Sequence, residues 1–294
     1  MRSRFLESFA VLAAIVSLSI PICAQTYGTP LYAPGAWKPE EVPKDLSKPK
    51  PYNPHDFSGV WSSPTKPGYF ERHALDDKWL DIGDKKVPSQ MKSQTYPPLM
   101  TDWGKAKFEA TKPSYGPRSV PPGLGNDPVS TCDPMGYPRD LYEANLRPFD
   151  IIQVPDRVLI HMQYHDIWRQ IWTDGRELPQ KPDPAWMGYS IGKWDGDTFV
   201  VTSTGYDDRT WLDHLGNPHS DQMVLVERWR HPDANTLTLD MTITDPKTYT
   251  APWVGDTITF VRAKAAIFEE NCVPSEESLF NDRIRDAAVG TSKP

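Results

Sequence analysis

The stretch Thr236-Leu-Thr-Leu-Asp-Met-Thr-Ile243 decides the fold class, because apolar and polar residues alternate through it without a break. In an extended chain its apolar side chains point to one face and its polar side chains to the other. Such alternation is typical of an antiparallel strand with one buried face and one solvated face. The stretch therefore predicts a mainly β fold.

Strand-like segments of similar length precede and follow this stretch, and short turns separate most of them. Asp195-Gly196-Asp197 is the clearest turn, because Asp-Gly readily adopts the positive φ values that hairpins need. A run of hairpins with one apolar face folds as a sandwich or closes into a barrel. We predict an antiparallel meander that closes into a barrel of about eight strands. The segments are 57–61, 151–154, 157–164, 167–173, 189–194, 198–204, 223–230, 236–243 and 257–262.

The rest of the chain is irregular. Residues 25–56 are rich in proline and predict an extended arm. The barrel domain, 57–263, contains an irregular insertion at 64–148, with one helix over 102–112 that Thr101 caps. Residues 264–294 predict a C-terminal tail in which 275–288 form a short helix.

The first 24 residues are typical of a signal peptide, with Arg2 and Arg4 before an apolar stretch and Ala24 at the cleavage site. The apolar stretch is shorter than the roughly 20 residues that cross a bilayer. We therefore predict a periplasmic or secreted protein without a transmembrane segment. Lipidation at Cys23 is the alternative, although Ile22 before it is larger than lipidation signals usually have.

Charge and cysteine content narrow the classes of partner. The formal net charge of −7, without a basic run, disfavours nucleic acid as a partner. Cleavage at residue 24 leaves two cysteines, Cys132 and Cys272, and an isolated pair in an oxidising compartment favours a disulfide.

Strand parity places charged side chains among apolar ones. Glu227 shares a face with Leu225 and Trp229, and Arg169 lies between two isoleucines, while Lys193 and Arg262 continue other apolar faces. Buried charges are costly unless they are paired, so these groups should meet each other or a polar ligand. Two interpretations stay open, a polar floor in an aromatic cavity or a Glu–Arg bridge that closes one end of the barrel.

The long loop at 206–221 interrupts the strands and is rich in acids, histidines and aromatic residues. Long connections in compact domains are often functional. We predict a secreted or periplasmic binding protein for a small amphipathic molecule, with this loop as lid. The predicted ligand-binding residues are Arg169, Trp172, Arg209, Trp211, Glu227 and Trp229.

Two alternatives use the same scaffold differently. A hydrolase or isomerase would use His214 or His219 as general acid or base, with Glu227 as partner. An envelope structural or interaction protein would have a filled barrel. Histidine and cysteine spacings typical of zinc are missing from the sequence, as are nucleophile elbows and phosphate-binding glycine loops, so we predict no metal and no cofactor.

Gly59-Val60-Trp61 and Arg262 resemble the opening motif and the late arginine of lipocalin-like, or calycin-type, barrels. The hairpin at 192–198 resembles one in small bacterial lipocalin-like domains, and 150–253 is similar to an uncharacterised family of secreted bacterial proteins. The resemblance implies a barrel in which Arg262 packs across Trp61, and it implies no activity. The insertion at 64–148 departs from the short loop of a lipocalin.

Overall fold

A computed structural model describes residues 51–62, 99–114, 118–143, 147–213, 215–255, 257–263 and 267–273. The predicted signal peptide, most of the predicted arm and the predicted C-terminal helix lie outside the described residues.

The described residues form ten strands and two short helices. A four-residue strand comes first, two helices follow within the insertion, and the other strands come after them. The elements are β1 (Gly59–Ser62), α1 (Asp102–Ala110), α2 (Arg139–Glu143), β2 (Phe149–Val154), β3 (Arg157–Met162), β4 (Ile167–Trp172), β5 (Tyr189–Asp195), β6 (Thr198–Thr204), β7 (Val224–Asp233), β8 (Thr236–Thr244), β9 (Trp253–Val254) and β10 (Ile258–Arg262).

Nine of these strands close into a barrel. They run β10-β1-β2-β3-β4-β5-β6-β7-β8, and β8 pairs with β10 to complete the ring. β9 pairs with the second half of β8, beyond β10. The mainly β barrel predicted from alternation is therefore confirmed.

The pair β4–β5 is parallel, whereas the other neighbouring strands in the ring are antiparallel. A closed ring with an odd number of strands must contain a parallel pair, because directions cannot alternate all the way around. Residues 173–188 carry the chain back to the end of the barrel at which β4 starts, so β5 runs in the same direction as β4. Only Ile171–Ser190 and Trp172–Ile191 are in register across this pair.

Apolar side chains from the inner faces of the strands line the barrel and form its core. Trp61 is fully buried and donates its indole N–H to the Phe57 carbonyl oxygen at 2.8 Å. The Arg262 guanidinium lies over the Trp61 ring at 4.3 Å from its centroid, as the lipocalin-like resemblance implies. Gly59, with φ at +125°, lets Arg262 come this close, because a Cβ there would lie 2.4 Å from Arg262 Nη1.

Helix α1 begins after Thr101, whose hydroxyl accepts a hydrogen bond from Gly104 N at 3.1 Å. The cap is as predicted, but the helix ends at Ala110 rather than Lys112. Lys112 precedes Pro113, and a residue before proline disfavours helical geometry. The Thr101 amide also donates to the Thr248 carbonyl at 2.9 Å, so the start of the helix is fixed to the turn after β8.

Cys132 and Cys272 form a disulfide, which confirms the prediction. Their Cα atoms are 5.4 Å apart, and 140 residues separate them in sequence. The bond joins a 3₁₀ turn (Pro128–Thr131) to the segment 267–273 that follows the barrel.

One prediction from strand parity is wrong. Lys193 lies on the exposed face of β5 together with Tyr189, while Ser190 on the opposite face is buried. Gly192 also faces inward, where the Phe199 ring would lie 2.3 Å from an added Cβ. The inner face of β5 therefore carries two small residues, Ser190 and Gly192, beside Trp194, and the small residues leave room for Phe199 and Arg169.

Candidate functional site

A charged pair lies inside the barrel. Arg169 on β4 and Glu227 on β7 are both fully buried, as strand parity predicted. Arg169 Nη1 donates to Glu227 Oε1 at 3.0 Å, and Nη2 donates to Oε2, so the pair is bidentate. Bidentate pairing fixes the orientation of both groups as well as neutralising their charges.

Four more polar side chains complete what we call the inner network: Tyr137, Ser190, Ser203 and Trp229, with Arg169 and Glu227. Arg169 Nη2 donates to Ser190 Oγ at 3.2 Å and to Ser203 Oγ at 3.0 Å. The Tyr137 hydroxyl and the Trp229 indole N–H both donate to Glu227 Oε1, the latter at 3.2 Å. Both Glu227 oxygens therefore have partners.

Tyr137 contributes its ring as well as its hydroxyl. The Arg169 guanidinium carbon lies 3.6 Å from the centroid of that ring, in cation–π geometry. Tyr137 comes from the insertion, just before α2, and not from the barrel wall. The insertion therefore supplies a side chain to the barrel interior.

Burial and charge act in opposite directions on this network. Burial alone would lower the pKa of Arg169, but the Glu227 carboxylate outweighs burial and raises it. Burial also raises the pKa of Tyr137. The network therefore holds a guanidinium cation and a neutral phenol at ordinary pH.

Two buried donors of this region have no hydrogen-bond partner of normal geometry among the described residues. They are Arg169 Nε and the Tyr206 hydroxyl. Tyr206 begins the long loop, and its hydroxyl lies beside Ser203 and within electrostatic reach of Arg169. Unpaired buried polar atoms are rare in folded proteins and mark places where a water or ligand atom fits.

The long loop folds over on itself beside the barrel. Trp211 is buried, and it forms a β-bridge with Pro218. The Arg139 guanidinium lies 5.9 Å from the centroid of the Trp211 ring. The Leu212 amide donates to the Asn217 carbonyl at 2.7 Å, which closes the loop tip. Trp211 thus packs within the loop and against the start of α2.

Asp245, after β8, fixes the end of the loop. Its carboxylate accepts from the Ser220 amide at 2.6 Å and from the Ser220 hydroxyl at 2.7 Å. It also accepts from the Thr248 hydroxyl at 2.7 Å. The loop is therefore held at both ends, by Tyr206 in the barrel region and by Asp245.

His219 is buried, and both of its ring nitrogens have neighbours within hydrogen-bond distance. Nε2 lies 2.7 Å from Thr210 Oγ1, and Nδ1 lies 3.2 Å from the Ser220 carbonyl oxygen. Burial lowers the pKa of His219, so the ring is neutral at ordinary pH. His214, the other predicted general acid or base, lies outside the described residues.

Arg209 and Trp172 lie away from the inner network. Arg209 is exposed, pairs with Asp207, and covers the Trp186 ring at 4.4 Å. Trp172 lies on the face of β4 opposite Arg169, between the guanidinium groups of Arg157 and Arg176. Of the six residues predicted to bind ligand, the structure brings together Arg169, Glu227 and Trp229.

Sequence reasoning did not identify Tyr137, Ser190, Ser203 and Tyr206 as members of this region. A correct assignment of the inner face of β5 would have identified Ser190, and Ser203 on β6 lies opposite Ser190 in the sheet. Tyr206 stands at the edge of the loop that the sequence singled out. Tyr137 lies in an irregular segment without periodicity, so no sequence signal connects it to Glu227.

Comparison of the chain with protein-family models, with curated proteins and with solved structures gave no match. The resemblance to lipocalin-like proteins therefore extends to a closed barrel and to the Trp61–Arg262 contact, and a family is not shown. None of the helices in the described ranges is long and apolar enough to cross a membrane.

Proposed function

We propose that this protein binds a small amphipathic molecule inside the barrel, against the inner network. The observation that carries the proposal is the pair of unpartnered buried donors, Arg169 Nε and the Tyr206 hydroxyl, within the described residues. A ligand oxygen that accepts hydrogen bonds from both would remove the cost of leaving them unpaired. The polar end of the ligand is therefore a carbonyl, carboxyl or hydroxyl group.

Aromatic side chains around the inner network supply the apolar part of the site. Phe149 and Phe260 lie within ring-contact distance of Trp229, with centroid separations of 6.4 and 6.0 Å. Aromatic walls with a few well-placed polar groups are typical of small-molecule sites. An amphipathic ligand would place its apolar body against these rings.

A location outside the cytoplasm belongs to the same proposal. The predicted signal peptide and the Cys132–Cys272 disulfide support it, since disulfides persist in oxidising compartments. The ligand would then be a molecule of the periplasm or of the surroundings of the cell.

Fluorescence titration tests the binding site. The full chain is titrated with 1-anilinonaphthalene-8-sulfonate and then with oleic acid as a competitor. We expect the probe to bind and oleic acid to displace it. The variant Tyr206→Phe removes one hydroxyl without a change in charge, and it should weaken oleic acid binding by about three- to tenfold, the usual value of one hydrogen bond.

Tyr249→Phe is the matched control. The Tyr249 hydroxyl is also buried but donates to the Pro218 carbonyl at 2.7 Å, away from Arg169. Its loss should leave the affinity for oleic acid unchanged. The proposal is wrong if neither compound binds the wild-type chain, or if Tyr206→Phe binds oleic acid as tightly as the wild type.

A further inference from the structure

A second group of buried polar side chains lies at the end of the barrel where β3 passes into β4. We call it the end cluster: Asp140, Arg147, Gln163, His165 and Glu270. Asp140 belongs to α2, Arg147 precedes β2, and Glu270 belongs to the segment that the disulfide holds. Gln163 and His165 lie in the turn between β3 and β4.

The ion pair Arg147–Glu270 organises this cluster. Arg147 Nε donates to Glu270 Oε1 at 2.7 Å, and Gln163 Nε2 donates to Glu270 Oε2 at 3.0 Å. Asp140 and His165 lie within electrostatic range of the charges of Arg147 and Glu270. Residues from α2, from the segment before β2, from the β3–β4 turn and from the segment that the disulfide holds therefore lie in one region.

Three buried atoms of the end cluster have no hydrogen-bond partner among the described residues. They are Asp140 Oδ1, Gln163 Oε1 and His165 Nε2. Asp140 is 2% exposed and Gln163 is 3% exposed, so bulk water does not satisfy these side chains. An amide or carboxyl oxygen buried without a partner costs about 1–3 kcal/mol.

The chemistry of the three atoms is shared, since each can accept a hydrogen bond. Gln163 has its amide nitrogen on Glu270, so the free atom is its carbonyl oxygen. His165 Nε2 accepts when the ring carries its proton on Nδ1. A primary ammonium group offers three N–H donors from a single atom and so matches three acceptors.

We propose that the end cluster is a binding site for a primary ammonium group, which donates hydrogen bonds to Asp140, Gln163 and His165. This site is separate from the inner network, and the proposal is independent of the ligand that the barrel binds. Arg147 and Glu270 are partly exposed, with side-chain exposures of 33% and 26%, so the cluster borders on solvent.

Charge balance supports an ammonium over a neutral group. Burial raises the pKa of Asp140 to about 8, so its carboxyl group is protonated at pH 7 in the empty site. Burial also lowers the pKa of His165, which keeps its ring neutral and able to accept. An arriving ammonium would favour the ionised Asp140, so binding would release one proton near neutral pH.

The charged and titratable groups around Asp140 come from several elements. Arg139 on α2 and Arg147 before β2 lower its pKa, while Glu270 raises it. Across the cluster, His165 also feels Asp133. Arg139 is itself paired with Asp127, through a hydrogen bond of 2.8 Å. Near pH 7, Asp140 is therefore the group that releases a proton when the ammonium binds.

Isothermal titration of the full chain with methylammonium chloride tests the proposal, with tetramethylammonium chloride as the control. Both ions carry one positive charge, but tetramethylammonium has no N–H donor. We expect methylammonium to bind with release of a proton, seen as heat that depends on the ionisation enthalpy of the buffer. Tetramethylammonium should bind at least about tenfold more weakly, because hydrogen bonds to charged groups are lost.

Variants locate the site. Asp140→Asn removes the carboxylate and should weaken methylammonium binding by about tenfold or more and abolish the proton release. Gln170→Leu, on the exposed face of β4, is the control and should leave methylammonium binding unchanged. Thermal unfolding of each variant shows whether it is folded. If Asp140→Asn fails to fold, His165→Gly, which removes the Nε2 acceptor at a position with φ of +62°, should weaken methylammonium binding instead.

Two results would overturn the proposal. Equal affinity for methylammonium and tetramethylammonium would show attraction to the acidic surface alone. No heat from either ion would mean that the three atoms hold only water.

Discussion

The inner network and the end cluster are both buried and polar, but they leave opposite groups unpaired. In the inner network, both Glu227 oxygens and both terminal nitrogens of Arg169 are paired, and the atoms left over are donors. In the end cluster, the atoms left over are acceptors on Asp140, Gln163 and His165. Both sets of unpaired atoms are those of the described part of the chain.

Under our two proposals, this difference gives the two places different ligands. Unpaired donors favour a ligand oxygen, whereas unpaired acceptors favour an ammonium. It also indicates different energetic consequences, because removal of one partner of a complete bidentate pair leaves the other charge buried and unpaired.

The largest effect is expected at the charged pair of the inner network. Glu227→Ala leaves the Arg169 cation buried and unpaired, so the free energy of unfolding should fall by about 3–5 kcal/mol. Urea unfolding measures the loss. The exposed pair Arg230–Asp240 is the control, and Asp240→Ala should cost only about 0–1 kcal/mol. Equal losses of unfolding free energy in Glu227→Ala and Asp240→Ala would contradict the view that burial makes the Arg169–Glu227 pair more important for stability than an exposed pair.

The double variant Arg169→Met with Glu227→Met sharpens this result. Apolar replacement of both partners is often close to neutral, so much of the single-variant loss should be recovered. If the double variant is as unstable as Glu227→Ala, the loss comes from packing and not from the unpaired charge.

Loss of the disulfide should have the next largest effect on stability. Of the two proposed binding sites, it should affect only the end cluster. Cys272→Ser frees the segment that carries Glu270 and should lower the free energy of unfolding by about 2–4 kcal/mol. Methylammonium binding should weaken in the same variant, while oleic acid binding should not change. A variant that loses both activities would show that the two regions are coupled.

Asp140 should give the end cluster its own pH dependence. Its pKa is raised by burial to about 8 in the folded chain, so between the unfolded value near 4 and pH 8 the folded chain holds one extra proton. This stabilisation is complete below about pH 4 and is lost as the pH rises through 8.

The variant Asp140→Asn removes that proton. Its free energy of unfolding relative to wild type should therefore rise by about 1.4 kcal/mol per pH unit between pH 5 and 8. Urea unfolding at several pH values measures the slope, with Asp195→Asn on the exposed end of β5 as control. A flat difference would mean that Asp140 titrates normally.

The smallest effect is expected from Tyr137→Phe. The aromatic ring keeps its place over Arg169 but loses the hydroxyl that donates to Glu227, and Glu227 still has Arg169 and Trp229 as partners. A cost of about 1–2 kcal/mol should follow. A loss as large as that of Glu227→Ala would show that Tyr137, and not Arg169, is the main partner of the carboxylate.

The fold was largely predictable because alternation is a local signal. The residues of β8 alternate over its whole length, and the strands of the hairpin around Asp195-Gly196-Asp197 are found within one residue of the prediction. The parallel pair β4–β5 was not predictable, because it follows from ring closure and not from any local pattern. Lys193 was misplaced because two of the three inner-facing residues of β5, Ser190 and Gly192, are small rather than apolar, while Tyr189 and Ile191 face outward.

The sites were predictable only where charges interrupt an apolar face. Arg169 and Glu227 stood out for that reason, and the structure pairs them. Tyr137, Asp140 and Glu270 lie in segments without periodicity, so only the folded chain shows what they contact. Their roles depend on long-range packing, which one sequence does not display.

A crystal structure of the full chain, grown with methylammonium, tests the contrast between the two regions most directly. We predict one nitrogen atom within hydrogen-bond distance of Asp140 Oδ1, Gln163 Oε1 and His165 Nε2, with the Arg169–Glu227 pair unchanged. Protein side chains paired with those three atoms, or methylammonium bound at Glu227 instead, would contradict the account.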